Sequence, residues 1–208
     1  MKIKAIIFDM DGVLIDATDW HYESLNKALG LFGCEINRYD HLVTFDGLPT
    51  RKKLEMLSLE GSFPRGLHSF VNELKQQYTM DIVHAKCKPV FQHQYALSKL
   101  KNAGYHLAVC SNSIRNTVEV MMEKAGLAPY LDIVLSSQDV KQGKPDPEMY
   151  NAAISSLGLD PKECLIIEDN ENGVKAAIAS RGHLLKVQNP DDVHLYNIIN
   201  RIKQIENA

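Results

Sequence analysis

Along the chain, apolar positions gather into short uninterrupted runs separated by longer stretches in which they recur every three or four residues. Short runs bounded by polar or glycine positions fit strands buried on both faces, and the wider spacing fits helices with one apolar stripe. Five runs predict strands, over residues 3–8, 105–110, 132–135, 164–168 and 183–187. Helices are predicted over 114–125, 147–157 and 173–179, followed by Gly126, Gly158 and Gly182, where a left-handed C-terminal cap favours glycine. This alternation predicts an α/β domain built on a parallel sheet.

The stretch from about residue 16 to residue 85 breaks the pattern: it holds no strand-like run and reads as a helical insertion. Its first helix, over 20–31, aligns Leu25, Ala28, Leu29 and Phe32 along one face. Further helices are predicted over 50–58 and 67–78, on either side of the breaker cluster Gly61-Ser62-Phe63-Pro64-Arg65-Gly66. The expected organisation is a core made of residues 1–15 and 86–208, interrupted by a helical domain over 16–85.

With 208 residues, 45% of them hydrophobic and 24% charged, the chain can bury a sizeable core. A formal net charge of −3 gives no general attraction to nucleic acid or to an anionic membrane surface, so neither partner is expected. The N-terminal apolar run stops at Asp9, too short for a signal peptide. No segment approaches the roughly 18 uninterrupted apolar residues of a membrane span, and a cytoplasmic monomer is the expectation. Cys34, Cys87, Cys110 and Cys164 are scattered, with no Cys-x-x-Cys pair, and read as free thiols.

In open parallel sheets, ligands sit beyond the carboxyl ends of the strands. The first predicted strand ends in Asp9-Met10-Asp11-Gly12, the second in Ser111-Asn112-Ser113 and the fourth in Glu168-Asp169-Asn170, while Lys144 follows the third. Four carboxylates at one sheet edge repel one another unless a cation is present, which points to a hard divalent ion such as Mg2+. Asp9 and Asp169 are the best direct ligands, with the main-chain carbonyl of Asp11 a third and Glu168 beside them. Lys144, Ser111 and nearby N–H groups can cradle phosphoryl oxygens, a carboxylate can attack phosphorus, and Asp11 can protonate the leaving oxygen. Taken singly, each group has a plain structural reading. Asp-x-Asp occurs in ordinary turns, Glu168-Asp169 can serve a helix dipole, Ser111 can cap a helix, and Lys144 can be a solvated charge.

Together these residues resemble the haloacid dehalogenase superfamily, in its β-phosphoglucomutase-like branch. The four motifs read Phe8-Asp9-Met10-Asp11-Gly12-Val13-Leu14-Ile15-Asp16, Cys110-Ser111-Asn112-Ser113, Gly143-Lys144-Pro145-Asp146-Pro147-Glu148 and Ile166-Ile167-Glu168-Asp169-Asn170. The resemblance implies a Rossmann-like α/β core with a small helical cap over 16–85 that closes on a small phosphorylated metabolite. It implies that Asp9 is nucleophile and metal ligand, and Asp11 general acid and base and metal ligand. It further implies that Asp169 and Glu168 are metal ligands and that Ser111, Asn112 and Lys144 bind substrate. His21 stands where related enzymes carry a histidine near the site, and Phe45-Asp46-Gly47-Leu48-Pro49-Thr50-Arg51 resembles their specificity loop, so His21 and Arg51 are candidate substrate contacts. Both also have structural readings, His21 packing near Leu25 and Arg51 solvated. Lys88-Pro89-Val90-Phe91-Gln92-His93 departs from the Pro-Gly turn of many relatives.

The activity implied is a magnesium-dependent phosphatase acting through an aspartyl-phosphate on a sugar phosphate. A sugar phosphomutase and a catalytically silent binding protein remain alternatives. Dehalogenation is disfavoured, because displacing halide needs no metal and leaves the charges of Asp11 and Asp169 unexplained.

Overall fold

The computed structural model describes residues 2–207. Its five strands, β1 (Ala5–Phe8), β2 (His106–Cys110), β3 (Ile133–Leu135), β4 (Cys164–Glu168) and β5 (His183–Lys186), form one parallel sheet in the order β3-β2-β1-β4-β5. All five predicted strands are present, most of them trimmed at their ends. In the register, Phe8 stands beside Val109 on one side and Ile167 on the other. Every residue of β1 and β4 is buried, as expected of strands covered on both faces. With this strand order the crossovers run in opposite directions from β1, so the switch point lies between β1 and β4, where doubly wound sheets open a crevice.

The chain divides into two compact units, one of residues 1–16 and 88–208, the other of residues 17–87. The second unit is helical: α1 (Thr18–Gly30), the single turn α2 (Arg38–Asp40) running into a π-helical turn at His41–Phe45, α3 (Thr50–Leu59) and α4 (His68–Lys86). Leu25, Ala28, Leu29, Leu54, Leu57 and Val71 form its core with Ile36, Phe45 and Phe63. Phe32 does not extend the α1 stripe. The helix ends at Gly30, Gly33 turns left-handed at φ +69°, and Phe32 stays partly exposed, edge-on to Phe63 and Phe70. Helix α4 runs eight residues past its predicted end. Its buried stripe Val71, Lys75, Thr79, Val83 is half polar, so the apolar spacing fades before the helix does.

In the first unit, α5 (Phe91–Asn102), α6 (Arg115–Lys124), α7 (Glu148–Ser156), α8 (Glu171–Ala179) and α9 (Leu195–Glu206) surround the sheet in sequence. Helices α5 and α9 stand outside the set predicted from the apolar pattern. Where the Lys88–His93 segment departs from its relatives, the backbone is extended at Val90 and α5 starts at Phe91. Gln92 and His93 there hydrogen-bond the carbonyls of Asp191 and Pro190, each at 2.9 Å. Gly126 and Gly158 adopt the left-handed cap conformation, at φ +67° and +66°. Gly182 does not: Arg181 takes the left-handed position at φ +65°, and Gly182 is small because a Cβ there would lie 2.8 Å from Ile166. Among the described residues all four cysteines are free, and no helix is long and apolar enough to cross a membrane.

Candidate active site

The site grows from the carboxyl ends of β1 and β4. Beyond Phe8 the chain continues the ladder for one more residue, Asp9 donating its N–H to the Ile167 carbonyl at 3.0 Å, and then turns sharply. Leu14 and Ile15 donate back to the Met10 carbonyl at 2.9 Å, and Gly12 donates to Ile15 at 2.7 Å. The turn needs Gly12 twice. Its φ is +89°, and a Cβ would lie 2.1 Å from Oδ2 of Asp169, so the bare backbone makes room for that carboxylate.

Lys144, 3% exposed, reaches into the same place. Its ammonium donates to Oδ1 of Asp9 at 2.5 Å and to Oε1 of Glu168 at 2.6 Å. Burial alone would lower the lysine, but Asp9 and Glu168 overcome it and hold the ammonium above its ordinary value. Asp9 is raised well above the usual carboxylate range by burial. Lys144 opposes this, while Glu168, Asp169 and Asp11 add to it. Four carboxylates thus face one ammonium, and oxygens of Asp9, Glu168 and Asp169 all lie within 4.8 Å of one another. Such a set, with the cradle left by Gly12, fits a hard divalent cation.

The remaining contacts hold these groups in place. Lys144 is clamped through its backbone by Asn112, whose Oδ1 accepts from the Lys144 N–H at 3.0 Å and whose Nδ2 donates to the Lys144 carbonyl at 3.1 Å. Glu148, at the start of α7, accepts from the N–H groups of Lys141 and Gln142 at 3.0 and 2.9 Å and so anchors the same loop. Asp11 accepts at Oδ2 from Ser113 at 3.0 Å and, more weakly, from Ser111 at 3.5 Å. Glu168 accepts from the hydroxyl of the fully buried Tyr150 and from the N–H of Asp169 at 3.2 Å. Burial and Glu168 push the Tyr150 hydroxyl well above its usual range, so it remains a proton donor. Behind the Glu168 carboxylate lies Gly173 of α8, where a Cβ would fall 1.8 Å from Oε1.

The first unit therefore gathers Asp9, Asp11, Ser111, Asn112, Lys144, Glu168 and Asp169 from four segments of sequence. Of the two remaining candidates, both in the helical unit, His21 lies on α1 with Nδ1 3.0 Å from the Lys75 ammonium. Because an ammonium only donates, Nδ1 accepts and the ring carries its proton on Nε2. The Arg51 side chain is 88% exposed and paired with Glu55 at 3.1 Å. Tyr150 is not singled out by sequence, Gly173 reads there only as the start of a helix, and Ser113 and Glu148 stand in the second and third motifs without an assigned role. Tyr150 occupies an ordinary core position on α7, and nothing in its spacing marks a polar role.

Residues 6–187 match the sequence profile of the haloacid dehalogenase-like hydrolase family. The chain is 32% identical to pyrophosphatase PpaX of Bacillus velezensis over 185 residues, covering 84% of this chain and 78% of that protein. It is 28% identical to a phosphorylated carbohydrates phosphatase of Thermotoga maritima, over 84% of this chain and 80% of the other. In structure it resembles a β-phosphoglucomutase of Clostridium difficile, with a TM-score of 0.85 at 21% identity, covering 99% of this chain and all of that one.

Proposed function

Because the chain belongs to the haloacid dehalogenase-like hydrolase family, we propose that it is a magnesium-dependent phosphatase that cleaves a small sugar phosphate. The observation that carries this reading is the placement of Lys144 between Asp9 and Glu168, with Asp169 alongside, at the open end of β1 and β4. A single fixed cation amid carboxylates suits a phosphoryl group, whose oxygens need positive charge, and leaves a carboxylate close by as nucleophile.

Asp9, Asp169 and Glu168, with the Asp11 carbonyl, would hold the metal. Bound there, magnesium would offset the excess negative charge and polarise a phosphoryl oxygen. Lys144 and Ser111 bind the transferring group, and Asn112 serves by fixing the Lys144 backbone. Asp9 attacks phosphorus through its carboxylate oxygen as the ester oxygen leaves, giving an aspartyl-phosphate. Asp11, oriented by Ser113, gives its proton to that leaving oxygen and then takes one from the water that opens the intermediate. Residues 16–85 act as a cap that closes over the substrate and excludes bulk water, bringing His21 and Arg51 to the substrate. A phosphatase of phosphorylated carbohydrates among its relatives supports the substrate class.

The test is phosphate release from an aryl phosphate and a panel of sugar phosphates, with and without magnesium. Activity is expected only with the metal, and Asp9→Asn is expected to abolish it. Metal-independent turnover that survives Asp9→Asn would refute the reading. With β-glucose 1-phosphate and a trace of the bisphosphate, free phosphate is expected to outpace glucose 6-phosphate; the reverse would identify a mutase.

A further inference from the structure

Tyr150 is among the largest fully buried side chains of the molecule, set in an apolar cluster with Ala5, Ile7, Ala108, Cys110, Met149 and Ala153. Phenylalanine would fill the same volume there, and a buried hydroxyl is costly unless it is hydrogen-bonded. The hydroxyl has one partner of consequence, Oε1 of Glu168, the same oxygen that accepts from the Lys144 ammonium. The ring also lies close to that ammonium, its centroid 4.8 Å from Nζ. Glu168 is therefore held from several sides: Tyr150 and Lys144 on Oε1, the Asp169 N–H on Oε2, and the bare backbone of Gly173 behind.

We propose that Tyr150 is a positioning residue whose hydroxyl, by sharing Oε1 of Glu168 with Lys144, keeps the lysine ammonium available to a phosphoryl oxygen. The inference rests on the phosphate-ester reading above. An acceptor oxygen that already receives one hydrogen bond draws less strongly on a second donor. Without the hydroxyl, Lys144 is the principal donor to Oε1, the Lys144–Glu168 pair tightens, and the phosphoryl group meets a less available cation. The loss falls on binding of the phosphoryl group in ground and transition states alike, so it is read in KM more than in kcat.

The experiment uses the full-length, magnesium-loaded protein and inorganic phosphate as probe. Calorimetry gives the phosphate Kd, and aryl phosphate hydrolysis gives KM and kcat, for wild type, Tyr150→Phe, Glu168→Gln and the double variant. Tyr150→Phe is expected to raise Kd and KM together by about tenfold, with kcat changed by less than about twofold. In the Glu168→Gln background, the same substitution is expected to have no further effect. Unchanged Kd and KM in Tyr150→Phe overturn the inference, whatever happens to the melting temperature. Equal losses in both backgrounds overturn it too, since the hydroxyl would then act by another route. Should Tyr150→Phe fail to fold, Glu168→Gln at saturating magnesium decides: phosphate binding as tight as wild type or tighter supports the inference, since the lysine is then freed from the carboxylate, and weakened binding overturns it. A wild type that binds phosphate but hydrolyses no ester would sink the phosphatase reading alone, and one that binds no phosphate would sink both.

Discussion

At the residue scale, several constraints on the site come from side chains that are missing. Gly173 and Gly12 leave space for the carboxylates of Glu168 and Asp169, and a methyl group at either position collides with an oxygen at 1.8 or 2.1 Å. Gly173→Ala must push Glu168 or helix α8 aside, and overpacking of this kind costs about 1–3 kcal/mol. We expect the variant to melt lower and to lose about tenfold or more in kcat/KM, since Glu168 is displaced from the carboxylate cluster it forms with Asp9 and Asp169. Gly158→Ala is the control. Its backbone is left-handed but its surroundings are open, so it should cost about 1 kcal/mol of stability while activity stays at the wild-type level. Equal activity losses in both would show that Glu168 is not what Gly173 protects.

At the element scale, the loop before α7 and the π-helical turn of the second unit carry separate predictions. Glu148 ties two consecutive N–H groups of the loop that presents Lys144, and those bonds hold its carboxyl below the usual range. Glu148→Ala should loosen Lys144 and lower kcat/KM by about three- to tenfold, whereas Glu163→Ala, in the short turn that precedes β4, should leave kinetics unchanged. In the π-helical turn, His41 is 1% exposed and its ring lies tilted against Tyr22, centroids 4.7 Å apart. Neither of its ring nitrogens has a hydrogen-bond partner among the described residues. Burial, reinforced by Lys53, pulls it down to about 4, against the pull of Asp46 and Asp19. The unfolded chain, with histidine near its ordinary 6.5, takes up this proton first. Stability is therefore complete above pH 6.5, falls as pH drops from 6.5 towards 4, and loses up to about 3 kcal/mol from this group. Urea unfolding followed by the fluorescence of Trp20, the chain's one tryptophan and part of α1, should show that slope, and His41→Phe should flatten it.

At the scale of the whole molecule, the acidic cluster opposes folding of the metal-free protein and rewards metal binding. Asp169→Asn removes one of four converging carboxylates, so it should raise the melting temperature without metal by a few degrees. Magnesium at a hundred times its Kd should stabilise the wild type by about 2.7 kcal/mol, and Asp169→Asn should lose most of that response. A wild type whose melting temperature ignores magnesium would contradict the assignment of this cluster to a metal.

The parallel sheet was legible in the sequence because its central strands are buried on both faces and all five announce themselves as apolar runs, each ending where a polar cluster begins. The same logic exposed Asp9, Asp11, Ser111, Lys144, Glu168 and Asp169, since residues at the ends of parallel strands meet whatever their distance along the chain. Three kinds of information were out of reach. The polar stripe that carries α4 to Lys86 and the amphipathic α9 depend on which face tertiary packing covers, and local spacing ranks these below the strands. The roles of Tyr150 and Ser113 arise only when α7 brings Tyr150 to Glu168, 18 residues away, and the loop after β2 brings Ser113 to Asp11, 102 residues away. Finally, the sequence placed a glycine after three of its predicted helices, but only packing separates the two reasons for it. Gly126 and Gly158 are there for a left-handed backbone, while Gly182, like Gly173 within α8, is there because a neighbour occupies the space a Cβ would take. Periodicity and strand ends follow from the chain's own geometry; the occupancy of a few cubic ångströms beside Glu168 is decided by segments that meet only in the folded state.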